Sequence, residues 1–215
     1  MEDYLKAIFK LLEQKEQVST SALAEHMGVA PASATNMCKK LAELKLLVYE
    51  PYYGVKFTPA GQKLVLEIVR HHRLIELYLA EALGVPWDRV HEEAERMEHV
   101  ISEDLEERMA AALGHPRFDP HGAPIPSKSG EMAQPPSDRL SDLEPGAKLV
   151  VVEVDDEDPA MLRYLGELGI YPGTEFALLT RAPFEGPLTL AIGTDQVTMG
   201  FHLARIIRVA AARKH

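Results

Sequence analysis

The sequence predicts a mainly α-helical chain with added β structure, in three parts: a helix pair with a β-hairpin, an all-helical middle, and a small C-terminal β-barrel. Three observations support this. Apolar residues recur at helical spacing up to about Gly114, apart from a strand-forming stretch at residues 48–57. The run HPRFDPHGAPIP, from His115 to Pro126, is too rich in proline and glycine for a regular element, and residues 127–140 stay polar. From Leu143 onward, short apolar runs (LVVVEV, FALLT, LTLAI, ARIIRV) alternate with turn formers such as Pro172–Gly173 and Glu185–Gly186–Pro187. The expected boundaries are 1–60, 61–126, a linker over 127–142, and 143–215.

In the first part, Ser19 or Thr20 can cap a short helix that places Leu23, Ala24 and Met27 at apolar spacing. Gly28–Val29 makes a tight turn, and Pro31 suits the first position of the next helix, expected over Pro31 to Leu46. One face of that helix carries Ala34, Met37, Cys38, Leu41 and Leu44. The other carries Ala32, Ser33, Asn36, Lys39, Lys40 and Glu43. Small and polar side chains near the start of the second helix of a pair match a recognition helix in a DNA groove. Asn36 can pair with adenine, while Lys39 and Lys40 meet phosphates. The hairpin VYEPYYGVKF then reads as a wing, with Tyr52, Tyr53 and Lys56 along the phosphate backbone. Together these make a winged helix-turn-helix. The same elements also fill small domains that never touch DNA, and Cys38 fits a small core hydrophobe.

Composition narrows the class. Hydrophobic residues make up 46% and charged residues 26% of the 215, ordinary for a globular protein. No run of 18 apolar residues occurs, so a membrane span is not expected. The start MEDYLKAIFK lacks a basic-then-apolar leader, and a lone cysteine suits a reducing compartment, so a cytoplasmic protein is expected. The net charge of −10 argues against nucleic-acid binding, but residues 1–60 balance seven lysines against seven acids, so the whole deficit lies beyond residue 60. An acidic body repels DNA unless something neutralises it, and a bound dication is one way.

The middle part holds candidate ligands for such an ion. In RHHRLIEL, His72 and Glu76 stand four apart and share a helix face. In VHEEAERMEHVI, residues 90–101, His91, Glu95, Glu98 and His99 fall within about 100° of arc on one helix, while Val90, Ala94, Met97 and Ile101 take a separate apolar sector. Imidazole and carboxylate without thiolate suit Mn²⁺ or Fe²⁺, with Zn²⁺ and Co²⁺ not excluded. Solvated Glu-rich helix faces offer the plain alternative.

These residues resemble the DtxR/MntR family, the diphtheria toxin repressor and manganese transport regulator group of metal-dependent transcriptional repressors. The likeness runs through MEDYLKAIF, AEHMGVAPASATNMCKKL, YEPYYGVKFTPAG, HHRLIE, VHEEAERMEH and DPHGAPIP in order. It implies a primary site of Asp3, Glu95, Glu98 and His99, which would tie the reader to the dimer core. It also implies an ancillary site of His72, Glu76 and His91, hence two ions per subunit. Glutamate at position 95, where iron-type members carry cysteine, favours Mn²⁺, with Fe²⁺ as the alternative. Lys6 stands where manganese-type members commonly have a second carboxylate, which argues for separated ions rather than a bridged pair. The C-terminal part resembles the FeoA-like, SH3-like barrel of longer members, through YLGELGIYPGTEF and PFEGPLTLAIG. In some relatives this barrel donates an acid to the ancillary ion; the nearest position here is Asp158, or Glu157.

The resemblance implies a homodimer, packed through Val90, Met97, Ile101, Leu105 and Met109, on a pseudo-palindromic double-stranded operator controlling metal uptake. Two rivals are a winged-helix regulator without metal and a helical metalloenzyme. Catalysis is disfavoured, because paired Glu-x-x-His motifs are missing (Arg96 precedes His99 by three, Asp88 precedes His91) and so is His-Glu-x-x-His.

Overall fold

The computed structural model describes residues 1–13 and 15–212. The chain divides into two compact units: residues 1–71 with Pro126–Glu131, and residues 72–125 with those from Met132 onward.

The first unit begins with helices α1 (Glu2–Leu12), α2 (Thr20–His26) and α3 (Pro31–Glu43). Ser19 caps α2 by accepting from the Ala22 amide at 3.1 Å, and Pro31 opens α3. The apolar face of α3 is buried through Ala34, Cys38 and Leu41. This helix ends three residues earlier than expected. Lys45 takes a left-handed conformation (φ 61°) and turns the chain into strand β1 (Leu47–Glu50). Strand β2 (Gly54–Phe57) pairs antiparallel with β1, from Leu47 opposite Phe57 to Glu50 opposite Gly54. Burial pushes the Cys38 thiol up to about 11, so it stays a neutral core group. Helix α4 (Pro59–Leu83) starts under a Thr58 cap, whose Oγ1 accepts from the Gly61 amide at 3.0 Å, and it runs on into the second unit.

In the second unit, α5 (Val90–Met97) and α6 (Glu103–Ala112) follow the end of α4. The single helix expected over the ligand-bearing stretch is broken: Glu98 is the C-cap of α5, and His99 lies in the turn beyond it. Ser102 supplies the reason, since its side chain accepts from the Leu105 amide and three acids fill the first turn of α6, a strong start signal. Ile75, Leu79, Val90, Ala94 and Met109 form one buried cluster, with Met97 and Ile101 packed against it. Four of the five residues expected at a dimer contact therefore serve this chain's own core. Leu105 alone among them is well exposed.

The C-terminal sheet has the order β3-β8-β4-β5-β6-β7, all antiparallel. Its strands are β3 (Asp138–Arg139), β4 (Lys148–Val154), β5 (Glu175–Arg181), β6 (Leu188–Ile192), β7 (Asp195–Met199) and β8 (Ile207–Ala211). Helices α7 (Pro159–Glu167) and α8 (Phe201–Ala204) pack with it around one core that includes Leu149, Leu162, Leu165, Phe176, Leu190 and Val209. The linker expected over 127–142 is shortened by β3, where Asp138 pairs opposite Val209, and by a 3-10 turn at Leu140–Asp142 whose Leu140 joins the core. Polar composition hid this edge strand, since a two-residue strand carries no alternation to read.

The loop 115–126 sets the site. Strand β4 has a bulge at Val152, and Gly122 (φ 89°) lies against it so closely that a Cβ would stand 2.0 Å from the Val152 carbonyl oxygen. The Val154 amide donates to the His121 carbonyl at 2.9 Å. Asp119 Oδ1 accepts from the amides of His121 and Ala123, closing the loop on itself.

Candidate metal centre and nucleic-acid face

Glu76, on the inward face of α4, is wholly buried among three histidines. Its Oε1 lies 3.0 Å from His72 Nε2 and 3.0 Å from His91 Nδ1, and those two nitrogens are 3.1 Å apart. Cis ligands of an octahedral ion bound at about 2.1 Å stand about 3.0 Å apart, so this triangle has the dimensions of one coordination face. Its other oxygen, Oε2, has no hydrogen-bond partner among the described residues, and it lies 4.0 Å from His121 Nδ1, which is also buried and also without one among them. Asp156, in the loop after β4, completes a group with Glu76 and His121 whose ligand atoms all lie within 4.8 Å of one another; His72, His91 and Glu95 form a second such group.

Electrostatics match the geometry. Burial favours the neutral acid at Glu76, but the charge of His72, hydrogen bonds from His72 and His91, and the charge of His121 outweigh it and hold the carboxyl well below the usual range. The bond to Glu76 raises His91 against the effect of its burial, with Asp156 adding to the rise. Asp119 goes the other way: burial and the Glu76 charge push it up to about 7, against Arg73 and His121. His72 links the two ligand sets expected from sequence, since its Nδ1 lies 2.6 Å from Glu98 Oε2 while Nε2 faces Glu76. Glu98 is buried, and its Oε1 lies 3.8 Å from His99 Nε2. Asp3 is exposed on α1 in the first unit, and its place in a ligand set rests on the resemblance.

Sequence reasoning missed His121 and Asp119, because the stretch 115–126 read only as too rich in proline and glycine for a regular element, and it passed over Asp156 for Asp158 or Glu157. The signal available was a histidine between proline and glycine, two residues after an aspartate. Asp158, the barrel position expected to reach the ion, caps α7 instead: its Oδ1 accepts from the amides of Ala160 and Met161. Asp156 is the barrel carboxylate at the cluster, 3.7 Å from His91 Nδ1. An aspartate just before a proline-started helix is better employed as an N-cap than as a ligand.

On the first unit, Ala32, Ser33, Asn36, Lys39 and Lys40 are exposed along α3, and Tyr52, Tyr53 and Lys56 are exposed on the hairpin, with Tyr52 at φ 71° in its turn. The helix pair and hairpin thus present all eight expected DNA-facing residues to solvent.

Three family models match consecutive stretches of the chain: the iron dependent repressor N-terminal DNA binding domain at residues 1–55, the iron dependent repressor metal binding and dimerisation domain at 58–127, and the FeoA domain at 139–211. A solved manganese-dependent transcriptional repressor in complex with manganese is 38% identical, at a TM-score of 0.92, over 98% of this chain and 99% of its own. The chain belongs to the DtxR/MntR family. Members of this family are metal-dependent, DNA-binding repressors, and this chain joins the DNA-binding and the metal-binding and dimerisation domains to a FeoA domain. The iron-dependent repressor IdeR of Mycobacterium tuberculosis is 29% identical over 97% of this chain and 95% of its own length. MntR of Bacillus pumilus is 37% identical over 47% of this chain and 70% of its own. The structure of ScaR with bound Zn²⁺ shares 30% identity at a TM-score of 0.85, covering 98% of this chain and 99% of that one. Among the described residues of this DtxR/MntR protein, no helix is long and apolar enough to cross a membrane.

Proposed function

We propose that this chain is a manganese-responsive member of the family, with Fe²⁺ as the alternative metal, which represses genes for metal uptake in the cytoplasm. The observation that carries the metal dependence is Glu76: a fully buried, ionised carboxylate with one oxygen in a 3.0–3.1 Å triangle with two imidazoles, and the other facing a third. A buried charge so placed needs a counter-charge, and an all-nitrogen-and-oxygen donor set without thiolate fits Mn²⁺ and Fe²⁺.

Two sites per subunit are proposed. His72, Glu76 and His91 form the first, extended by His121 and Asp156 from the loop and the sheet. Glu95, Glu98 and His99 form the second, for which the resemblance adds Asp3. A divalent ion in these sites supplies the positive charge that offsets the clustered carboxylates. Glu76 holds the imidazoles of His72 and His91 in place, and His72 passes the position of Glu76 to Glu98 through its two ring nitrogens. The working divisions are those expected from sequence: residues 1–60 read DNA, 61–126 hold metal and dimerise, and 143–215 form the barrel. Two recognition helices in a dimer would address successive major grooves of a pseudo-palindromic operator. Leu83, Val100 and Leu105, apolar and exposed, suit the dimer face better than the core residues.

The test is operator binding in gel shifts at one salt concentration, using an operator selected from a random-sequence pool, with Mn²⁺, Fe²⁺, Co²⁺ and Zn²⁺ titrated in turn. Mn²⁺ or Fe²⁺ should give the largest stimulation at saturation, although Co²⁺ and Zn²⁺ bind nitrogen–oxygen sites at lower concentration. Glu98→Ala should abolish the stimulation while leaving the circular dichroism spectrum intact; undiminished stimulation would refute the site.

A further inference from the structure

His121 reaches the site by an unusual route. It sits in a loop with no regular structure, yet it is 1% exposed and its ring is held from behind. Its Nε2 lies 2.8 Å from the backbone carbonyl oxygen of Trp87. A carbonyl can only accept, so Nε2 must carry the proton. In the neutral ring Nδ1 then keeps a bare lone pair, and Nδ1 is the atom that faces Glu76 Oε2.

What fixes Trp87 is the barrel. The residue lies between α4 and α5, in a segment with no helix of its own, but its indole packs against the core of the C-terminal sheet. The Tyr171 ring meets it at 4.8 Å between centroids, and the His121 ring at 5.7 Å. Gly166, on α7, closes the arrangement. A Cβ there would stand 2.8 Å from the Tyr171 hydroxyl oxygen and 3.2 Å from Trp87 Nε1, so only glycine leaves the aromatic pair where it is. Tyr171 returns its hydroxyl to the Gly166 carbonyl at 3.3 Å.

We propose that Trp87 is the positioning residue of the His121 ligand, clamped by Gly166 and Tyr171 so that these two residues set the tautomer and aim of His121 without themselves touching the ion. This rests on the proposed function, in which His121 ligates metal. The barrel thereby acts on the site by two routes, a carboxylate from Asp156 and a carbonyl from Trp87. Groups that orient a metal-bound imidazole from behind typically change affinity by roughly 10–100-fold when disturbed.

The experiment is Mn²⁺ titration of the full chain, followed by calorimetry and by the emission of Trp87, the sole tryptophan. Saturation with Mn²⁺ should shift that emission, and His121→Asn should weaken Mn²⁺ binding and remove the shift. Gly166→Ala should weaken binding by roughly tenfold. Adding Tyr171→Phe should restore much of the loss, because it deletes the atom that the new methyl strikes. In the His121→Asn background, Gly166→Ala should cost nothing further. Unchanged affinity in Gly166→Ala, no rescue by Tyr171→Phe, or a loss that adds in full to that of His121→Asn would overturn the positioning role and leave the metal site standing. Unchanged binding in His121→Asn would instead remove His121 from the ligand set, and the proposal with it.

Discussion

Glu76 stays ionised in the interior because imidazoles surround it, and that has a consequence for stability. With a folded value below the ordinary glutamate value of about 4.3, its contribution is present above that pH and lost only as pH falls through the folded value. Asp119 and His91 have raised values, so the stability they give is present at low pH and lost on raising it. For Asp119 the loss runs from about 4, its unfolded value, to about 7; for His91 it begins above about 6.5. Metal-free protein in a chelator should therefore melt at a lower temperature at pH 8 than at pH 5.5. Excess Mn²⁺ should reduce the decline, because it binds His91 in its deprotonated form and its charge offsets that of Glu76 beside Asp119. A chelated protein whose melting temperature rises over that interval would contradict these assignments. The helical ligands were legible one by one, since His72, Glu76, His91, Glu95, Glu98 and His99 stand out by spacing. The partners of Glu76 outside those helices were not, because nothing in the sequence near His121 or Asp156 says what they face.

Among the elements, the loop 115–126 contributes more than its composition suggests. Its docking onto β4 depends on one glycine against one bulge. Gly122→Ala places a methyl against the Val152 carbonyl and forces a left-handed conformation on alanine. Denaturant unfolding without metal should show a loss on the order of 2–4 kcal/mol. Alanine at Gly146, which has positive φ but open space around the added carbon, should cost about 1 kcal/mol. Equal losses at both positions would mean that the close approach contributes nothing. Regular elements with a strong period, α3, α4 and the hairpin, were readable because one face of each must be buried. The break at Glu98 was also written in the sequence, as the Ser102 cap followed by Glu103 and Asp104, but a helical wheel drawn through residues 90–101 passes over it. The two-residue strand β3 and the bulge at Val152 arise from tertiary pairing, for which no local pattern exists.

Over the whole molecule, charge is divided by task. The reader carries a balanced set of lysines and acids, while the deficit of −10 lies beyond residue 60, where all the carboxylates of the proposed sites except Asp3 are found. On the proposed function, bound dications would offset part of that deficit and so favour DNA binding, which would tie DNA affinity to metal supply. The family was legible from the order of its motifs, and the barrel from its alternation of strands and turns. What stayed hidden was that Asp156, rather than Asp158, lies at the His/Glu cluster. The most direct measurement is anomalous scattering at the manganese edge from crystals of the full chain grown with Mn²⁺. A peak about 2.1–2.3 Å from a Glu76 oxygen, with imidazole nitrogens of His72, His91 or His121 at similar distances, is the expected result. A map with no peak around Glu76, its oxygens hydrogen-bonded among the histidines alone, would contradict it.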